Sequence, residues 1–193
     1  MTDSKKFNPA KRKKLNNPVR LEWIPPALIW NVINPGIGST FVDIGAGTGY
    51  ITQHIANLAG PAITIHALDI EPLMIDEMAQ TLPADTCVKP QRMQRDSLPF
   101  ADNSIDGIWL ITLFHELEPP EPLLAEIRRV LRPDCRMLIV DWEKEMKACE
   151  QGPPFEHRIS TDTALQTVTS AGFDDVHQIP GFHFHYGILA KKA

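Results

Sequence analysis

Hydrophobic and polar positions along this chain fall into two alternating periods. Short, mostly apolar runs at residues 40–44, 63–68, 105–111 and 136–140 predict strands, and 87–93 predicts another despite Pro90. Between them, 50–58, 71–80 and 122–130 carry apolar residues at helical spacing, with Pro72 and Pro122 placed for first turns. Upstream, 18–33 reads as a helical segment whose Pro25-Pro26 pair suits a first turn and which Asn34-Pro35-Gly36 stops. Downstream, a polar loop holding Gly152-Pro153-Pro154 leads to a helix over 161–171 that Gly172 can end. Runs at 175–179 and 183–189, joined by Pro180-Gly181, then suit an antiparallel pair. Strands alternating with helices predict an α/β fold: a mostly parallel sheet covered on both faces and finished by a C-terminal hairpin.

Length and charge narrow this picture. The 193 residues fit one domain, and 43% hydrophobic with 22% charged residues excludes wholesale disorder. The charge is unevenly spread. Residues 1–20 hold seven Lys and Arg against Asp3 alone, whereas the rest holds 12 against 23 acids. An acidic body argues against a domain built to track nucleic-acid phosphates, and the basic start, with only Phe7 as an aromatic, reads as a solvated tail. Its first 17 residues are expected to be mobile or draped over the body. Cys87, Cys135 and Cys149 form neither a disulfide framework nor a metal motif. No run approaches the roughly 20 apolar residues of a membrane span, and no signal-peptide core follows the N-terminal charge. A soluble protein of a reducing compartment, the cytoplasm, is the expectation.

The sharpest chemical signal is Asp43-Ile44-Gly45-Ala46-Gly47-Thr48-Gly49-Tyr50, a glycine-rich turn between a strand and a helix. Glycines there allow left-handed backbone and close approach by a ligand, while the helix start favours an anionic group such as a carboxylate. A dinucleotide fingerprint needs glycine where Tyr50 stands. Asp43 suits an ammonium group better than a pyrophosphate, which favours an amino-acid-bearing nucleoside over NAD.

This loop, with the segments that follow it in order, resembles the class I S-adenosylmethionine-dependent methyltransferases. Asp69 and Ile70 end the second strand, where the family holds the ribose hydroxyls. Arg95-Asp96-Ser97-Leu98-Pro99-Phe100 resembles the adenine-contacting segment, with Asp96 and Ser97 as its polar residues. Asp102-Asn103-Ser104-Ile105-Asp106 resembles the loop into strand four. Leu131-Arg132-Pro133-Asp134-Cys135-Arg136 resembles the approach to strand five, although Asp134-Cys135 replaces the usual glycine pair and predicts a different turn.

The resemblance implies a Rossmann-like seven-stranded sheet and an S-adenosylmethionine site made by Asp43, Gly45, Ala46, Gly47, Gly49, Asp69, Ile70, Asp96, Ser97 and Thr112, yielding S-adenosylhomocysteine. It places the domain at residues 36–193, with 1–35 as a basic tail and lid helix. The implied reaction is in-line SN2 methyl transfer to a small-molecule acceptor, as in the ubiquinone/menaquinone-type branch. That reaction demands alignment, and a base only when the nucleophile carries a proton.

His115, in the segment after strand four, is the candidate base. Arg20, Glu116, Asp141, His157 and Arg158 are candidates for binding the substrate or closing over it. His183 and His185, alternating along one strand, would share a face, but without a further ligand cluster no metal site is expected. Two rival readings are a non-catalytic S-adenosylmethionine-binding or scaffolding protein and an NAD-dependent oxidoreductase. Oligomeric state is left open.

Overall fold

In the computed structural model, which describes residues 6–33, 39–145 and 151–193, β4 (Ile105–Ile111), apolar except for Asp106, is buried along its whole length. That is the signature of a central strand covered on both faces. It sits in a seven-stranded sheet ordered β3-β2-β1-β4-β5-β7-β6. The other strands are β1 (Thr40–Ile44), β2 (Thr64–Asp69), β3 (Val88–Arg92), β5 (Leu131–Trp142), β6 (Asp174–Ile179) and β7 (His185–Lys191). The first five pair in parallel, and β7 runs antiparallel between β5 and β6. The Rossmann-like sheet and antiparallel C-terminal hairpin expected from the sequence are therefore present.

Two apolar clusters sandwich the sheet. On one face, Ile29 and Ile33 of α2 (Pro26–Ile33), Ile51 and Ile55 of α3 (Tyr50–Ala59) and Met78 of α4 (Pro72–Thr81) pack on Phe41, Ile65 and Trp109. On the other, Leu123, Leu124 and Ile127 of α5 (Glu121–Val130) and Ala164 and Val168 of α6 (Thr161–Ser170) pack on Val42, Ile108 and Ile139. Pro90 is accommodated because β3 is an edge strand.

Three local expectations change. The segment 18–33 is not one helix: a single turn, α1 (Arg20–Trp23), precedes α2, because two prolines cannot continue the hydrogen bonding of α1. Strand β5 begins at Leu131, and Asp134 takes the left-handed backbone (φ 66°) that glycine would otherwise supply. Its carboxylate pairs with Lys191 at 2.7 Å. His183 lies before β7 and does not share a strand face with His185; its N–H donates to the Trp23 carbonyl. The predicted stop at Asn34-Pro35-Gly36 and Cys149 lie outside the described residues.

The strand order reverses between β1 and β4, so their carboxyl ends open a crevice. A 3₁₀ segment (Pro9–Asn16) lies across that opening, joined to the body by Thr48 Oγ1 donating to Asn16 Oδ1 and by the Arg12–Glu77 ion pair. Of the two expectations for the first 17 residues, the described part is draped over the body.

Candidate active site

A cavity of about 760 Å³ fills the crevice. Its floor is the glycine loop, where Gly45, Gly47 and Gly49 all take positive φ. A Cβ on Gly47 would lie 2.9 Å from Leu15 Cδ1 and push that side-chain tip aside, and the φ of 58° there independently favours glycine. Gly45, Ala46 and Gly47 line the cavity; Gly49, the N-cap of α3, packs beneath it against Met78.

Asp43 closes the inner end and is almost wholly buried. Its Oδ2 accepts from Thr52 Oγ1 at 2.5 Å, while Oδ1 has no hydrogen-bond partner among the described residues. Burial pushes the Asp43 pKa up to about 6, against the opposing effects of Thr52 and the Trp109 indole. An orphaned buried carboxylate oxygen is costly unless something supplies a donor, and a cationic ammonium does so best. Arg20, also on the cavity wall, has its pKa lowered to about 10 by its own burial, an effect the Asp43 charge resists. The Arg20 guanidinium is held by the Leu15 carbonyl at 2.6 Å.

Asp69 ties two loops together. Its Oδ2 accepts the Gly47 N–H and its Oδ1 the Glu71 N–H, both at 2.9 Å. Ile70 and Thr112 complete this part of the lining. Thr112 is a β-branched residue at φ 54°, a strained conformation held where β4 ends, with its N–H on the Val140 carbonyl at 2.7 Å. Asp96 and Ser97 stand apart, on an exposed turn that does not line the cavity; Met93 and Arg95 of the same segment do. Arg129 holds that segment by donating to the Leu98 and Phe100 carbonyls.

A second group on the cavity wall has different chemistry. His115 sits in a 3₁₀ turn (Phe114–Glu116) and Asp141 near the end of β5. His115 Nδ1–H donates to Asp141 Oδ1 at 2.8 Å, and its backbone N–H donates to Asp141 Oδ2 at 3.1 Å. With Nδ1 committed, Nε2 is the basic nitrogen of the neutral ring, 3.9 Å from Glu116 Oε1. Burial disfavours the imidazolium, yet the charge and hydrogen bond of Asp141, with Glu116, outweigh it and raise the His115 pKa above the ordinary value. Burial likewise favours protonated Asp141, but His115 and two backbone N–H groups hold it below the usual range. Burial lifts the Glu116 pKa to about 7, and Glu116 Oε1 accepts the Phe7 N–H at 3.1 Å.

Among the substrate and lid candidates, Arg20, Glu116 and His157 line the cavity, whereas Asp141 lies behind His115. Arg158 is buried, with its guanidinium on the carbonyls of Glu143, Pro153 and Gln151. Arg95, in the segment resembling the adenine-contacting one, lines the cavity, whereas the sequence gives no sign of Phe7, Leu15 or Trp142 as lining residues, nor of Asp141 as the partner of His115. Those contacts join segments distant in sequence, and no local motif announces them.

A family model described as a methyltransferase domain matches residues 42–139. The chain belongs to this methyltransferase family. Ubiquinone/menaquinone biosynthesis C-methyltransferases of Burkholderia mallei and Burkholderia thailandensis are 31% identical over 108 residues. That alignment takes in 55% of this chain but only 44% of theirs. A SAM-dependent methyltransferase from Aquifex aeolicus superposes with a TM-score of 0.89 at 28% identity, over 97% of this chain and all of that one. Human N-acetylserotonin methyltransferase, solved with SAM, shares the fold at 17% identity (TM-score 0.71, 96% of this chain and 57% of that one). The methyltransferase domain thus spans the glycine loop, Asp69 and His115, while Asp141 and the 3₁₀ segment lie outside the matched residues. Among the described residues, no helix is long and apolar enough to cross a membrane.

Proposed function

We propose that this methyltransferase domain transfers a methyl group from S-adenosylmethionine to a small-molecule acceptor whose reacting atom carries an ionisable proton. The observation that carries this reading is one cavity lined by two chemically distinct groups: the orphaned Asp43 carboxylate beside the glycine loop, and His115 backed by Asp141.

The residues present fit the cofactor. Asp43 and the glycine loop would hold its amino-acid part, and Asp69 with Ile70 its ribose. Asp96 and Ser97, on the neighbouring exposed turn, are the proposed adenine-side residues. When bound, S-adenosylmethionine supplies an electrophilic methyl group on a sulfonium. His115 Nε2 takes the proton from the acceptor atom, and Asp141 holds the ring in the required tautomer and stabilises the imidazolium. The 3₁₀ segment and Arg20 exclude water by covering the cavity, so residues 1–35 act as a closing segment on a catalytic domain at 36–193.

The test is direct. Calorimetry with S-adenosylhomocysteine should show saturable binding, and incubation with S-adenosylmethionine and a panel of hydroxylated and C–H-acidic small molecules should release S-adenosylhomocysteine. Absence of binding would overturn the cofactor assignment. Binding without turnover of any acceptor favours the non-catalytic reading.

A further inference from the structure

A second histidine on the cavity wall has no part in the proton transfer. His185 is 4% exposed, and its Nδ1 lies 2.6 Å from the His183 carbonyl, so Nδ1 carries the hydrogen and Nε2 the lone pair. That Nε2 has no hydrogen-bond partner among the described residues. Burial, reinforced by the charges of Arg20 and Arg158 and opposed by the His183 carbonyl and Asp141, lowers the His185 pKa to about 4, so the ring stays neutral. A neutral ring with Nδ1–H committed can only accept at Nε2.

The walls around it are aromatic. Trp142 is the register partner of His185 across the β5–β7 pair, and the two rings lie 4.1 Å apart between centroids. Trp23 meets Trp142 edge-on at 6.3 Å and Phe184 at 5.3 Å. Gly152 lets its loop press on the Trp142 indole, since a Cβ there would lie 2.5 Å from the ring. Trp23, Trp142 and His185 all line the cavity, and Trp142 directly follows Asp141, the partner of His115.

We infer that His185, Trp142 and Trp23 form an acceptor-positioning subsite for a flat aromatic ring bearing a hydroxyl or N–H group, whose hydrogen His185 Nε2 receives. This inference rests on the proposed methyl transfer and names the substrate class that fits its acceptor end. Recognition is by two points. The reacting group faces His115, a base; the second donor faces His185, which is too weak a base to take its proton and serves to orient the ring. The aromatic walls favour a planar body, which stacks or meets them edge-on. A site with a fixed buried acceptor discriminates strongly against ligands lacking the matching donor, because the acceptor is then left unsatisfied.

Catechol and phenol, which differ by one hydroxyl, test the idea on the full chain without cofactor. Binding is read by quenching of tryptophan fluorescence excited at the red edge of the indole band, where neither probe absorbs. The wild type should bind catechol roughly tenfold more tightly than phenol, as expected for one hydrogen bond to a buried acceptor. His185→Phe keeps a ring beside Trp142 and should remove the preference; His185→Gln should restore part of it; Trp142→Leu should weaken both probes. A wild type that binds neither probe or does not discriminate between them overturns the inference, as does His185→Phe retaining the preference. S-adenosylhomocysteine affinity, measured on each variant, separates the two proposals: if it is intact while the preference is absent, only the subsite fails.

Discussion

His115 and Asp141, 26 positions apart in sequence, are joined twice: ring nitrogen to one carboxylate oxygen at 2.8 Å, backbone N–H to the other at 3.1 Å. The second bond fixes the 3₁₀ turn on the end of β5, so the ring is aligned by the same carboxylate that stabilises its charge. Replacing the acid by its amide keeps the shape but sets a donor against either the ring Nδ1–H or the His115 backbone N–H, so one of the two bonds is lost in each orientation of the amide. Asp141→Asn is therefore expected to lower kcat strongly, and His115→Gln by roughly 10²–10⁴-fold, the usual range for losing a general base. S-adenosylhomocysteine affinity should change little in either. Rates from product release and affinities from calorimetry check both; a His115→Gln enzyme turning over at the wild-type rate would leave the histidine a packing role.

The cavity acids make stability depend on pH in a defined direction. Burial holds the folded-state pKa values of Asp43 and Glu116 at about 6 and about 7, above the ordinary values of 3.8 and 4.5. Between the unfolded and folded values the unfolded chain has lost protons that the folded chain keeps, so stability falls as pH rises. His115, also raised, contributes stability that is present below its ordinary value of 6.5 and lost above its folded one. The melting temperature of the ligand-free protein should thus decline from about pH 5 to 7.5, and Glu116→Gln should flatten the decline. Asp141, lowered, acts in the opposite sense, but only below its ordinary value of 3.8. His185, lowered by burial from 6.5 to about 4, opposes the decline up to pH 6.5, so the fall is steepest above that pH. Calorimetric melting across this window decides the matter, and a flat profile in the wild type would contradict the buried-acid assignment.

Cofactor binding should release protons for the same reason. A ligand ammonium favours ionised Asp43, so near pH 6 binding of S-adenosylhomocysteine should expel about half a proton from this group. Titration in buffers of different ionisation enthalpy measures it. Asp43→Asn should abolish the release near pH 6 and weaken binding by roughly tenfold or more, as loss of a charge-assisted hydrogen bond does. Gly47→Arg should also weaken it, because the added side chain meets Leu15 across the loop and the residue must hold φ 58°.

How much of this was legible beforehand depends on whether the signal is local. The positive φ of Gly45, Gly47 and Gly49 is a backbone demand written in residue type, and the strand periods that frame it are equally local. Asp134 shows the opposite case. Its departure from the family's glycine pair suggested a changed turn, yet aspartate tolerates the left-handed region and Lys191 steadies its carboxylate, so the ladder simply starts earlier. The Phe7–Glu116 contact joins residues 109 positions apart, and no motif connects them. By sequence, Arg158 is a candidate for binding the substrate or closing over it. Its burial is instead set by backbone carbonyls that converge only once β5 and the loop are folded together.

That burial gives Arg158 a structural consequence. Its Nε and Nη2 donate to the Pro153 carbonyl at 3.0 Å, Nη1 to the Glu143 carbonyl at 3.0 Å, and the guanidinium lies 5.4 Å from the Trp142 ring. Arg158→Leu removes these donors from half-buried carbonyls that water can reach only in part, at a cost of about 1–2 kcal/mol. For a domain of this size that lowers the melting temperature by roughly 2–8 °C. Because the same guanidinium braces Trp142 and the Gly152–Pro154 loop, acceptor KM should rise as well, while S-adenosylhomocysteine affinity, which depends on the glycine loop and Asp69, should hold. Arg158→Lys keeps the charge but cannot reach three carbonyls at once, so it should fall between the two. Thermal melting alongside KM and calorimetric affinity separates this bracing role from a direct contact with substrate, for which KM would move without the melting temperature.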